Sequence, residues 1–369
     1  MNKNGKKRMV YICPVDWRWI KQRPQFLAEE LNIYYDVHAV YPFSKRRKGL
    51  QKKVPTMVSL TPYFTLPAFG GRIPFIEKIN KALVRLQLRA VLHIVRPQIL
   101  WLSLPSYIDI IPACFQGQVI YDCMDDYAEL NQRREQREGI VAQEMRLIER
   151  ADLIFASSEN LRGKLCMRNG VTAESVVLLR NGYNSKWDGE GESASDGKQT
   201  DERFRIGYIG TIGRWFDFDL LLKSLQENDR VEYHLYGPLE QGVLMPGSER
   251  LIWHGVIEHD EIRRIACELD ALLMPFIVND IVRSVDPVKL YEYIWLEKPI
   301  VCIRYPEIER FAPFVSFYRT QEEYSAQIET LISGESKKYT HEHAVDFLKE
   351  NSWKKRAEAA RDAIEAICK

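Results

Sequence analysis

Short apolar runs alternate with helical stretches along almost the whole chain, and this alternation constrains the fold more than any other feature. MVYICPV (9–15) reads as a strand and RPQFLAEEL as the helix after it. DVHAVYP, QILWLSL, QVIYDCM, DLIFASS and SVVLLRN follow as further strands, with helical segments near 74–95, 131–150 and 158–168 between them. Strand–helix alternation of this kind demands a parallel sheet covered on both faces. Residues 184–202 (NSKWDGEGESASDGKQTDE) interrupt the rhythm with Gly, Ser and charge, and read as a linker or exposed loop. A second series then begins. FRIGYIGT, VEYHLYG, LIWHGV, ALLMPF, PIVCIRY and VSFYRT are its strands. FDLLLKSLQE, HDEIRRIACEL, PVKLYEYIWLE and QEEYSAQIETLIS are the helices between them, and SWKKRAEAARDAIEAI closes the chain as a helix.

A chain of 369 residues suits two domains better than one core. The fold class expected is α/β, with two Rossmann-like domains of parallel sheet and a long C-terminal helix. The boundaries expected are 1–183 for the first domain, 184–202 for the linker, 203–350 for the second domain and 351–369 for the helix. Seven cysteines, an odd number without CxxC or metal-type spacing, argue for free thiols in a reducing compartment, and no metal is expected. The start lacks the apolar stretch of a signal peptide, and no run reaches the ~18–20 apolar residues of a membrane span. A cytoplasmic location follows from these expectations.

In open α/β sheets, ligands bind beyond the carboxyl ends of the strands, near helix N-termini. Three turns of the second half suit a nucleotide diphosphate. In GYIGTIGRWFD, Gly210 and Gly213 permit close backbone approach and Arg214 adds charge; a plain strand-ending turn fits equally, and the spacing is not GxGxxG. In WHGVIEHDE, Gly255 allows approach, and backbone groups of Val256 and Ile257 could read a base edge. His254 there also suits an ordinary loop histidine. In NDIVRSVDPVKLYEYIWLEKPIV, Asp286 is a plausible N-cap and Pro287 a natural first helical residue. The helix then offers amides of Val288, Lys289 and Leu290 to an anion, with the Lys289 charge beside them and Glu292 one turn on.

The order HGV, helix, DALLMP, then PVKLYEYIWLEKPIV resembles the donor domain of GT-B glycosyltransferases, among them family 4 and the bacterial enzymes that build teichuronic acid and other surface polysaccharides. WRWIKQRPQFLAEEL and VIYDCMDDYAEL carry the resemblance into the first half, so it covers nearly the whole chain. It implies sheets facing a central cleft, a C-terminal helix crossing back to the first domain, an acceptor-binding domain at 1–183 and a donor-binding domain at 203–350. It also implies a hexosyltransferase-type enzyme using a UDP- or GDP-sugar and a glycan or lipid-linked acceptor, with no metal or other cofactor. Glu292 is then the glutamate on the donor ribose. Family 4 often has another glutamate eight positions earlier, where this chain has Ser284. Two rivals stay open: a nucleotide-sugar 2-epimerase of the same fold, and a non-catalytic scaffold that binds nucleotide or glycan.

VIYDCMDDYAEL ends an apolar strand with Asp122, Asp125 and Asp126. Asp126 or Asp125 is the candidate for acceptor contact or for the base an inverting transfer needs, and the same cluster also suits capping the next helix. VDWRWIKQRPQF places Asp16, Trp17, Arg18, Trp19 and Arg23 after the first strand, where aromatics beside charge suit sugar or pyrophosphate recognition at a rim. A packed loop in which Arg23 and Pro24 start a helix is the alternative. Charge is uneven: residues 1–96 hold 19 basic and 5 acidic side chains, a net of +14, and the remainder 33 and 46, a net of −13. FSKRRKGLQKK (43–53) and the helix near 74–95 concentrate it. On that helix Lys78, Lys81, Arg85 and Arg89 share a face, with Ile76, Ile79, Leu83, Leu86 and Ala90 largely elsewhere. A solvated stripe is one reading. The other is docking on an anionic membrane, peripherally at the inner face of the cell membrane. No nucleic-acid motif accompanies the charge.

Overall fold

The computed structural model describes residues 5–44, 55–67, 74–131, 134–184, 203–334 and 337–367. Most of the basic segment 43–53 and all but the first residue of the polar segment 184–202 lie outside these. The chain forms two compact units, Met1–Gly182 with Trp353–Lys369, and Tyr183–Ser352.

In the first unit seven parallel strands run in the order β3-β2-β1-β4-β5-β6-β7: β1 Arg8–Ile12, β2 Asp36–Pro42, β3 Ser59–Tyr63, β4 Ile99–Leu102, β5 Gln118–Cys123, β6 Leu153–Ala156 and β7 Val176–Leu178. Alternation along β1 explains why the runs are continuously apolar. Met9 and Tyr11 enter one core with Trp101, Ile120 and Phe155. Val10 and Ile12 enter the opposite core with Leu88, Leu92, Leu147 and Leu161. Helix α1 (Arg23–Leu31) covers the first face, and α2 (Pro74–Val95), α3 (Arg134–Arg150) and α4 (Glu159–Asn169) supply the second. The C-terminal helix α10 (Trp353–Ala366) packs on α1: Trp353 stacks on Phe26 with centroids 5.5 Å apart, and Ala357, Ala360 and Ile364 join the first core. The expected return of the last helix to the first domain is therefore present.

The second unit has six parallel strands in the order β10-β9-β8-β11-β12-β13. They are β8 Phe204–Ile209, β9 Val231–Tyr236, β10 Leu251–Gly255, β11 Ala271–Met274, β12 Ile300–Ile303 and β13 Ser316–Tyr318. Its helices are α5 Phe218–Glu227, α6 Ile262–Cys267, α7 Val288–Trp295, α8 Gln321–Ile332 and α9 His341–Glu350. In both sheets the strand order reverses once, between β1 and β4 and between β8 and β11. Sheets that reverse in this way open a crevice at the carboxyl ends of the two strands.

Two elements were not foreseen. β3 contains Pro62, which a strand tolerates at the sheet edge it occupies. α9 has few apolar residues, but Thr340 caps it by accepting from the His343 amide, and Ala344 and Leu348 are buried. On α2 the inward face is set by Leu88 and Leu92, with Val84, Val91 and Val95 half-buried. Ile79 and Leu86 are therefore exposed beside Lys78, Lys81 and Arg85, correcting the expected separation of apolar and basic residues.

Candidate active site

The carboxyl ends of β8, β9 and β10 carry Gly210, Gly237 and Gly255, with φ of +151°, +130° and +79°. These values are strained for any side chain. The three are laced together: the Gly210 amide donates to Tyr236 O at 2.7 Å, and the Gly237 amide to Gly255 O at 2.6 Å. A Cβ on Gly237 would lie 2.1 Å from Gly210 O. Trp253 donates its indole N–H to Gly237 O at 2.9 Å, holding that carbonyl. The result is a shelf of bare backbone along three strand ends. Gly210 and Gly255 were expected there; Gly237 follows no motif and was missed.

Lys289, in the first turn of α7, lies over this shelf at the β8–β11 reversal. A Cβ on Gly210 would sit 1.8 Å from its Nζ, so a side chain there would have to push the ammonium aside. The ammonium is 5.6 Å from the Tyr208 ring centroid. Among the described residues it has no salt-bridge partner. Burial lowers its pKa, and Glu292, half-buried one turn further, opposes that lowering with its charge.

Tyr293 holds α7 in place. β8 and β11 pair only through Ala271 with Ile206 and Leu272 with Gly207. Where they part, the Ile209 amide donates to the Tyr293 hydroxyl at 3.0 Å. Leu290, Tyr291 and Ile294 are buried as anchors, and the Leu290 amide, expected to face an anion, instead donates to Pro287 O at 3.3 Å.

The expected cap differs. Pro287 is the N-cap of α7, in an extended conformation. The buried Asp286 carboxylate instead pairs with Arg310, which also donates to the Tyr291 hydroxyl at 2.6 Å. Ser284 is buried too. Its hydroxyl donates to Asp280 O at 3.0 Å, closing the 3-10 turn Val282–Ser284 rather than extending toward the shelf. Arg214 is exposed, with its amide donating to the Glu240 carboxylate at 3.2 Å. Val256 is 66% exposed, whereas Ile257 and Val288 are half-buried.

In the first unit, the residues expected at a rim are structural. Trp17 is 1% exposed and belongs to the core. The Asp16 carboxylate is buried and accepts from the Arg18 amide and guanidinium and from the Ser44 amide, which uses up its acceptor capacity. Arg23 is 5% exposed and forks onto the Asp122 carboxylate at 2.7 and 3.1 Å. Its remaining donor reaches Arg180 O at 3.1 Å and the Asn181 side chain at 3.2 Å. It thus ties α1, β5 and the segment after β7 together. A buried, paired carboxylate–guanidinium fork is a fixture of the fold and not an accessible ligand group.

Asp125 and Asp126 separate clearly. Burial would raise the Asp126 pKa, but hydrogen bonds and charge from Arg168 and Lys164 on α4 outweigh it and the net direction is down. Lys164 donates at 2.8 Å and Arg168 at 2.8 and 3.0 Å. A carboxylate held this way is a poor base, which removes Asp126 as the catalytic candidate. Asp125 has its pKa pushed up to about 7 by burial, with Arg23 opposing and Asp122 and Asp126 adding to the rise. That places its titration where a base works at neutral pH.

No family model matches the chain. A provisionally named teichuronic acid biosynthesis glycosyltransferase of Bacillus subtilis, TuaH, is 26% identical over 233 residues, covering 59% of each chain. The match therefore spans about three-fifths of that relative's length. Among solved structures, an apo lipopolysaccharide outer core galactosyltransferase superposes with a TM-score of 0.65 at 12% identity, covering 97% of this chain and 99% of that one. The Anabaena protein HepE, in complex with UDP and glucose, gives 0.66 at 13% identity, covering 98% and 99%. A glycosyltransferase from Rickettsia africae gives 0.68 at 11% identity, covering 99% of both chains. Two parallel sheets, each reversing once and each capped by helices, together with these superpositions, give the chain the GT-B glycosyltransferase fold that its sequence resembles.

Proposed function

We propose that the protein transfers a sugar from a UDP- or GDP-sugar to a glycan or lipid-linked acceptor in bacterial surface polysaccharide synthesis. The observation that carries this reading is Lys289, a half-buried ammonium over Gly210 at the strand reversal, with no salt-bridge partner among the described residues. Taking a cation out of water is costly, and the Glu292 charge offsets that cost without reversing it. A nucleotide diphosphate would add the counter-charge still wanting, aided by the backbone at the start of α7. Glu292 then lies one turn along α7, suited to the ribose hydroxyls. The named activity of the Bacillus relative and the UDP and glucose bound to the Anabaena neighbour support the same reading.

During transfer, negative charge builds on the departing diphosphate. Lys289 and the amides at the α7 N-terminus stabilise it as it forms. On the acceptor side Asp125, half-ionised near neutrality, takes the proton of the attacking hydroxyl in an inverting transfer. The scheme needs no metal. An anionic membrane surface fits as a further partner in the cytoplasm, because Lys78, Lys81 and Arg85 are exposed on α2 together with Phe75, Leu86 and Ile94. Among the described residues no helix is long and apolar enough to cross a membrane.

A thermal-shift screen with UDP, GDP and their sugars tests the donor site, with Glu292→Ala beside wild type. Stabilisation by a nucleotide diphosphate, weakened in the variant, is expected; no stabilisation by any of them rejects the site. Acceptor-dependent release of nucleoside diphosphate separates transfer from 2-epimerisation and from a binding scaffold. Sedimentation with anionic vesicles should fall with salt and with Arg85→Glu, and indifference to both rejects the membrane partner.

A further inference from the structure

The turn that follows β10 is thrown by an irregularity. Trp253 pairs with Leu235 and Gly255 with Tyr236, so His254 is an extra residue without a strand partner. Such insertions redirect the chain beside functional sites and need something to fix them. Here the fixing group is a side-chain relay. His254 Nε2 is 2.9 Å from His234 Nδ1, and His234 Nε2 is 2.9 Å from the Glu232 carboxylate. The two imidazoles are nearly coplanar, at 11°, and Tyr236 stacks on His254 at 4.4 Å and 8°. Glu232 is itself anchored by Arg205 at 3.2 Å and Arg203 at 3.7 Å.

With both rings neutral, the partners fix the tautomers. A carboxylate can only accept, so His234 carries its proton on Nε2 and presents a lone pair on Nδ1. His254 must therefore donate Nε2–H to it. The order is Glu232 carboxylate, His234 N–H, His234 lone pair, His254 N–H. One added proton, on His254 Nδ1, leaves this order intact. A second has nowhere to go except the contact itself, where two N–H groups would then face each other. Besides Glu232 and the two arginines, Tyr236 from β9 stacks on the pair and Glu268 beyond α6 acts on His254 by charge, while Arg264 acts on Tyr236.

We infer that Glu232, His234 and His254 are positioning residues for the turn at 255–257, and that nucleotide affinity falls when the pair takes up its second proton. The inference rests on the reading of the second unit as a nucleotide site, since that turn borders the glycine shelf under Lys289. The relay touches no reacting atom; it sets where Gly255, Val256 and Ile257 stand.

The test uses UDP and GDP titrations of the full chain from pH 8 to pH 5. Wild-type affinity should hold near neutrality and then fall by up to about tenfold per pH unit as one further proton is taken up. His254→Phe keeps the stack on Tyr236 and severs the relay, and should bind about tenfold more weakly already at pH 7.5. His234→Gln offers a donor to Glu232 and an acceptor to His254 but cannot titrate. It should retain wild-type affinity at pH 7.5 and lose the acid fall. Both variants also control for protonation of the nucleotide. Binding by His254→Phe within twofold of wild type, or an unchanged acid fall in His234→Gln, overturns the inference. Should neither nucleotide bind wild type at any pH, the donor reading fails, and imidazole nitrogen spectra still decide the relay. They should show Nε2–H on both rings with an accepting Nδ1 on His234; an Nδ1–H on His234 at neutral pH overturns it.

Discussion

Lys289→Met separates a lysine that serves the fold from one that waits for an anion. Methionine keeps the length of the stem over Gly210 and removes the charge. In the free protein the wild-type ammonium is partly withdrawn from water and its pKa is lowered by that burial. Removing it should relieve a cost of about 1 kcal/mol, which raises Tm by roughly 2–4 °C for a unit of this size. With nucleotide the sign reverses. A charge-assisted contact to a phosphate contributes about 1.5–3 kcal/mol, so its loss weakens binding about 10- to 150-fold. At nucleotide concentrations 100 times the wild-type Kd, wild type gains about 2.7 kcal/mol and the variant retains about 0.3–1.4 kcal/mol. Scanning calorimetry with and without UDP or GDP, with titration calorimetry for Kd, reads both effects. The reasoning is refuted if the free variant melts below wild type, because the ammonium then has a favourable partner. It is equally refuted if the nucleotide-induced shift is unchanged.

Three further outcomes follow from the geometry. Asp125→Asn should remove the rising limb of the rate with pH centred near 7, measured as kcat/KM from pH 5.5 to 8.5. Because the folded pKa lies above the unfolded one, near 3.8, the native state holds the extra proton and loses stability as pH rises between them; the Asn variant should not, in urea titrations at pH 4 and pH 8. Asp126→Asn should cost about 1.5–3 kcal/mol in urea unfolding by removing the charged acceptor that Arg168 and Lys164 share, while the pH profile of the remaining activity stays that of wild type. Gly237→Ala should lower both Tm and nucleotide affinity, since its Cβ meets the carbonyl of Gly210 and its φ is positive.

What the sequence revealed and what it concealed divide by distance along the chain. Apolar periodicity is local, so the strand–helix rhythm and the C-terminal helix were legible from runs of five to fifteen residues or so. Lys289 and Gly210, read as parts of one candidate site, do lie together, because one short helix and one strand end carry them. The contrast between Asp125 and Asp126 was not. It is decided by Lys164 and Arg168, which lie 38 and 42 positions on and arrive only when α4 packs. Arg23 has the same history, for its partner Asp122 is 99 positions away. A loop containing two tryptophans and three charges looks like a ligand rim until folding supplies Asp122 and the core that surrounds Trp17. On α2, two apolar stripes competed, and only packing at Leu88 and Leu92 chose which would turn inward.

The glycine shelf shows why the proposed donor side is easier to read from sequence than the proposed acceptor side. A side-chain ligand is recognised by what it carries, and a distant partner can neutralise it, as happened to Asp16, Arg23 and Asp126. A bare strand end is recognised by what it lacks, and no distant residue can restore a Cβ to it. Gly210 stays bare because of its φ of +151°, with Lys289 where a Cβ would stand, and Gly237 because of its φ of +130° and the Gly210 carbonyl its Cβ would meet. Lys289 in turn is held at that spot by α7, whose Tyr293 fills the gap that opens between β8 and β11 at the reversal. Each step is forced by the one before, from strand order to gap, from gap to tyrosine, from tyrosine to helix, and from helix to the ammonium over bare backbone. The acceptor side has no such chain of necessity among the residues of its sheet. The chemistry proposed there rests on Asp125, whose neighbour Asp126 takes the pairs with Lys164 and Arg168.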